Sequence, residues 1–167
     1  MAAPAAMPVF VAGVNIGYGP PPVNVVMLLA DAAHVVGGKL YIWGGGWSVA
    51  GPLPVPMAIA MRFEVPWDQV DRSHDWELEL VDGDGRPVMC AEHGDHPIRH
   101  HGHLHLHRPA GLPAGVPVDV AVAVDAGTVV VPAGGRYVWR LSVDGTTEEG
   151  WQVAFTSRPL PEEGDDL

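Results

Sequence analysis

Short runs in which apolar and polar positions alternate recur along most of the chain. Met57, Ile59, Met61, Phe63 and Val65 alternate with Ala58, Ala60, Arg62 and Glu64, and Trp76, Leu78 and Leu80 alternate with Glu77 and Glu79. Val118, Val120, Val122 and Val124 alternate with Asp119, Ala121, Ala123 and Asp125; Tyr137, Trp139, Leu141 and Val143 enclose Arg140 and Ser142; Trp151, Val153 and Phe155 close the series. A period of two places every second side chain on one face, the mark of a strand with one face in a core. The apolar run Val23 to Ala30 adds a strand, and Lys39 to Trp43 with Ser48-Val49 adds another, bent or bulged at Gly44-Gly45-Gly46. Asp82-Gly83-Asp84-Gly85, Pro132-Ala133-Gly134-Gly135 and Asp144-Gly145 supply tight reversals between the runs. A short helical turn fits Pro66 to Arg72, with Asp68 and Asp71 in its first turn. About eight or nine strands without a sustained helical period predict an all-β fold, an antiparallel β-sandwich.

Composition adds boundaries to this pattern. Residues 1–22 lack a steady period and end on Gly19-Pro20-Pro21-Pro22, which continues neither a helix nor a central strand, so they are expected to form an apolar arm. The sandwich domain is expected over 23–158, and an acidic tail over 159–167. Nine basic against twenty acidic residues leave a formal charge of −11, which disfavours nucleic acid and anionic lipid as partners. No run is long enough to span a bilayer as a helix, and no basic residue precedes the apolar start, so neither an anchor nor a signal peptide is expected. A single cysteine, Cys90, excludes an intramolecular disulfide and fits a reducing, cytoplasmic location.

Leu28-Leu29-Ala30-Asp31-Ala32-Ala33, Gly37-Gly38-Lys39-Leu40-Tyr41-Ile42, Gly44-Gly45-Gly46-Trp47-Ser48 and, downstream, Pro132-Ala133-Gly134-Gly135-Arg136-Tyr137 before Trp139-Arg140-Leu141 together resemble a family of small actinobacterial proteins of unknown function. The resemblance runs roughly from Val23 to Pro159. It implies a compact β-sandwich and supplies no catalytic residue. Members of the family begin near the position of Val25, so the arm falls outside the pattern; the histidine cluster described next is not one of the motifs that carry the resemblance.

Seven of the nine histidines, His93, His96, His100, His101, His103, His105 and His107, fall in one window. If Ile98 to Arg108 is a strand, Leu104 and Leu106 face the core while His101, His103, His105 and His107 line the opposite face. Neighbours on such a face lie roughly 6.5 to 7 Å apart, so a His-x-His pair makes half of a site for zinc, nickel or copper. His93, Asp95 and His96 are available as further ligands. The plain alternative is the solvent face of an ordinary strand; a third is a pH switch, since protonating all nine histidines takes the formal charge from −11 to −2. A cupin-type metalloenzyme also carries a His-x-His pair in a small β-barrel. It needs a Glu shortly after that pair, where Leu104 to Arg108 offer none, and a His after Pro-x-Gly, where Tyr137 stands.

Other motifs are weaker. Asp82-Gly83-Asp84-Gly85 lacks the distal Glu of a calcium loop, and Gly44-Gly45-Gly46 lacks the lysine of a phosphate loop. The expected function is therefore a non-catalytic binding or assembly module without a required cofactor, acting on a protein partner or a second copy of the chain. The alternative is a metal-binding protein centred on His101, His103, His105, His107 and His96. Partner contacts are expected from Phe10, Val11, Ile16 and Tyr18 of the arm, whose apolar side chains cannot build a core alone; Trp47 beside the glycine run is read first as a core residue, with an edge position where it anchors a partner as the alternative. An arm adding itself as a strand to a second copy would give a homo-oligomer.

Overall fold

The computed structural model describes residues 23–51, 54–90 and 96–161. Ten strands follow one another: β1 (Asn24–Ala30), β2 (Ala32–Val36), β3 (Lys39–Trp43), β4 (Val49–Ala50), β5 (Val55–Val65), β6 (Ser73–Asp82), β7 (Arg99–His105), β8 (Val118–Val129), β9 (Arg136–Val143) and β10 (Gln152–Ser157). The only helical element among the described residues is a 3-10 turn at Trp67–Gln69, inside the stretch where a short helical turn was expected. The expected arm, with Phe10, Val11, Ile16 and Tyr18, lies outside the described residues, as do His93, Asp95 and the tail beyond 161.

The strands form a three-stranded sheet in the order β1-β5-β8, a five-stranded sheet in the order β4-β10-β9-β6-β7, and the two-stranded hairpin β2-β3. Every pairing is antiparallel except that of β4, whose two residues run parallel to β10. The alternating apolar residues of the two larger sheets share one core: Val25 and Leu29 of β1, Met57 to Val65 of β5, Leu78 and Leu80 of β6, Trp139 and Leu141 of β9 and Phe155 of β10. Each such side chain contributes about 1.5–3 kcal/mol by leaving water. Val120 and Val122, expected in the core, are only half-buried and pack against it, whereas Val118 and Val124 on the same face of β8 are buried.

The expected half-buried β5 is corrected by a third layer. Ala58 and Ala60, read as the solvent side of the alternation, are buried with Ala33 in a small second cluster that includes Leu28, Leu40 and Ala123. The β2-β3 hairpin covers them. Its reversal uses Gly37 and Gly38 at φ 58° and 74°, the positive-φ pair that a two-residue hairpin turn takes. Alanines at 58, 60 and 123 leave room for a second backbone to approach the outer face of the sheet, where Arg62 and Glu64 further along β5 would not. β2 is therefore a strand in its own right, and the partner of β3 is β2 rather than a continuation through the glycine run.

Candidate functional site

Two exposed surfaces carry unusual side chains, and they lie on different sheets. The first is the outward face of the hairpin. Cross-strand pairing sets His34 opposite Tyr41, Val36 opposite Lys39 and Ala32 opposite Trp43, and directly paired residues share a face. Trp43 is 53% exposed, Tyr41 46% and Val36 61%. The Tyr41 and Trp43 rings stack at 6.4 Å with 25° between their planes, and His34 meets Trp43 edge-on at 5.5 Å. The opposite face holds Ala33 and Leu40 against the sheet. The aromatic pair is thus carried by a hairpin packed on the sheet through Ala33 and Leu40, with Val35 and Ile42 of that inner face still partly in water.

Trp47, read as either a core residue or an edge anchor for a partner, is half-buried and packed edge-on against Phe155 at 6.1 Å. It lies beyond the glycine run, where the chain has left the hairpin for β4, and joins the main core. Trp43, four residues earlier, takes the exposed position. Strict alternation places Tyr41 and Trp43 on one face of β3, but Leu40 and Ile42 make the other face equally apolar, so periodicity alone does not say which face is outward.

The second surface is the outer face of the five-stranded sheet at its β7 edge. His101, His103, His105 and His107 are exposed, while Leu104 and Leu106 are buried beneath them, as the expected register requires. His100 turns inward, its ring 5.7 Å from Trp139, and burial lowers its pKa against a partly opposing Asp125. Pairing of β6 with β7 sets Arg99 opposite Glu79, His101 opposite Glu77, His103 opposite Asp75 and His105 opposite Ser73. The imidazoles therefore face a row of carboxylates. Asp75 Oδ1 is 2.6 Å from Nδ1 of His103, and Arg99 donates to Glu79 Oε1 at 2.9 and 2.6 Å but reaches Glu77 only at 3.9 Å. A hollow of about 370 Å³ opens here, walled by Asp75, Glu77, His101, His103 and Ser142. His105 and His107 pair with each other at 5.0 Å between ring centres. His96 precedes β7 and is not among the residues that wall the hollow. Asp75 and Glu77 carry no motif of their own, and only the register of β6 against β7 reveals them.

A buried histidine lies close by. The His74 ring is shielded from water, with Nδ1 2.7 Å from Asp144 Oδ2 and Nε2 2.8 Å from the carbonyl oxygen of Gln69. Both partners are acceptor oxygens. Asp144 Oδ1 also accepts from the Asp75 amide at 2.9 Å. Burial pushes the Asp144 carboxyl up, but the His74 ring, the Asp75 amide and Arg72 outweigh it and hold it below the ordinary carboxylate value. The His74–Asp144 pair ties the Asp144-Gly145 turn to the start of β6. The Asp82 turn is structural too: Asp82 Oδ1 accepts from the amides of Asp84 and Arg86, a local turn in place of a calcium loop.

No helix among the described residues is long and apolar enough to cross a membrane. Residues 25–155 match a family described as a family of unknown function (DUF6941). No curated protein and no solved structure matches the chain.

Proposed function

The chain belongs to this family of unknown function, and from that premise we propose that it is a non-catalytic binding and assembly module whose docking surface is the outward face of the β2-β3 hairpin. The observation that supports this reading is the exposed Tyr41–Trp43 stack on a hairpin whose other face is fixed to the sheet. Rigid, solvent-facing aromatics lose little conformational freedom on contact and are favoured anchors of protein interfaces. The proposed occupant is the apolar segment 1–22 of a second copy. That segment contains no Asp, Glu, Lys, Arg or His in a chain of net charge −11, and the hairpin face of His34, Val36, Lys39, Tyr41 and Trp43 contains no carboxylate. Apart from such patches, two copies repel. Phe10, Val11, Ile16 and Tyr18 supply apolar side chains suited to the aromatic face. The single cysteine is in keeping with a cytoplasmic setting.

Sedimentation of the full chain, of a variant lacking residues 1–22 and of Trp43→Ala tests this. The full chain is expected to run as a dimer and both variants as monomers with unchanged circular dichroism. A monomeric full chain would refute self-assembly, as would a dimer that survives both changes.

A further inference from the structure

The row of imidazoles facing a row of carboxylates has a chemical use that the hairpin does not touch. We propose that His101, His103 and Glu77 bind a divalent transition metal ion of the zinc, nickel and copper class in the hollow on β6 and β7, with Asp75 positioning His103.

His103 is prepared for this role. Because a carboxylate only accepts, the 2.6 Å contact of Asp75 with Nδ1 places a ring proton on Nδ1, so the tautomer competent to bind a metal is the one with its lone pair on Nε2. A carboxylate holding one ring nitrogen while the other is left to a metal is the recurring arrangement behind metal-binding histidines. His101 lies two residues along the same strand face, at the spacing from which two imidazoles converge on one ion. Glu77, the direct cross-strand partner of His101, adds an oxygen ligand; its ion pair among the described residues is with Arg99 at 3.9 Å, and Arg99 is already bound closely to Glu79. Two nitrogens, one carboxylate oxygen and water suit borderline ions of the zinc class rather than magnesium or calcium. Among the described residues no three such side chains already converge on one point, so binding requires His101 and Glu77 to change rotamer. Both are surface side chains facing solvent, and such changes are fast.

The elements joined by the ion give the site a physical effect. β7 is the edge strand of its sheet, and edge strands open more readily than central ones. An ion held by β7 through two histidines and by β6 through Glu77 fastens that edge in the folded state only, so it raises stability in proportion to occupancy.

Isothermal titration of the full, untagged chain with zinc chloride and nickel chloride at neutral pH tests the assignment. One ion per chain is expected, with a rise in melting temperature. His101→Ala and His103→Ala are expected to weaken binding at least about tenfold, and Asp75→Asn about tenfold through loss of the ring's fixed tautomer. His105→Ala and His107→Ala are expected to leave affinity within about twofold. Imidazole nitrogen shifts followed by NMR supply a second measurement: zinc is expected to move the Nε2 signal of His103 while its Nδ1 stays protonated. Absence of saturable one-to-one binding would overturn the proposal. So would equal losses from all four alanine variants, the result of a diffuse histidine surface, or binding that survives His101→Ala and His103→Ala together.

Discussion

Substituting Gly102 with alanine is expected to destabilise the domain, although the position lies on an edge strand. Gly102 is paired directly with Trp76, and an ideal Cβ at 102 would sit 2.5 Å from Trp76 Cζ2, 2.8 Å from Cε2 and 3.0 Å from Nε1. Relaxed contacts between such atoms settle near 3.5–4.0 Å, so the indole must retreat by about 1 Å. Trp76 is at 9% exposure and belongs to the main core, and the backbone of β7 above it is held by its ladder to β6. Forcing a methyl group into a packed site costs about 1–3 kcal/mol. Restricting the unfolded chain by replacing glycine returns about 0.4–1 kcal/mol. The net loss is about 1–2 kcal/mol, a fall of roughly 3–8 °C in Tm for a domain of this size. Urea unfolding followed by tryptophan fluorescence measures it. Trp76→Phe removes the part of the indole that collides, so in the double variant the cost of Gly102→Ala is expected to fall by about 1 kcal/mol, a favourable coupling. A Gly102→Ala protein as stable as its parent, or strictly additive effects in the double variant, would refute the steric account.

Asp144→Ala is expected to cost about 2–4 kcal/mol, because it leaves the His74 ring and the Asp75 amide without their acceptor and puts alanine at φ 51°. Asp144→Asn, which tolerates that φ and keeps one acceptor, is expected to cost less; equal urea midpoints for the two variants would refute the backbone contribution. Acid is expected to destabilise the domain in two windows. The lowered pKa of His100 means that the unfolded chain takes up a proton before the folded one, so stability falls as pH drops below the ordinary histidine value of about 6.5 toward the lower folded value. The lowered pKa of Asp144 acts the same way below the ordinary aspartate value. Melting temperatures of the parent and His100→Leu across pH 7 to 5 check the first window: the variant is expected to lose less, and identical slopes would assign that loss to other groups.

The strands and the main core were legible because their inner faces are purely apolar: Met57 to Val65, Trp76 to Leu80 and Tyr137 to Val143 each read the same from the period as from the fold. The register of the histidine row was legible for the same reason, since Leu104 and Leu106 fix which side of β7 is buried. What escaped depended on contacts distant in sequence. Ala58, Ala60 and Ala123 are small enough to lie under a hairpin and neutral enough to lie under water, so only the path of β2 and β3 decides between the two. The same ambiguity of faces on β3 leaves the exposure of Trp43 unread in the sequence. Asp75 and Glu77 were legible only as the polar half of an alternating strand; that they face His103 and His101 is a property of the β6–β7 pairing.

The two proposed surfaces make independent claims because of how the layers stack. The hairpin lies on the outer face of the three-stranded sheet, against Ala58, Ala60 and Ala123 of β5 and β8. The histidine row lies on the outer face of the five-stranded sheet, and the shared core of both sheets separates the two surfaces. No ionic contact or ring pair joins His34, Tyr41 or Trp43 to Asp75, Glu77, His101 or His103. Sites without shared partners are expected to add rather than couple. Zinc should therefore leave the sedimentation of the chain unchanged, and Trp43→Ala should leave zinc affinity unchanged. If zinc instead drives association, the ion is bridging histidine rows of two copies, and the assignment of Glu77 as the ligand that closes the site within one chain is wrong.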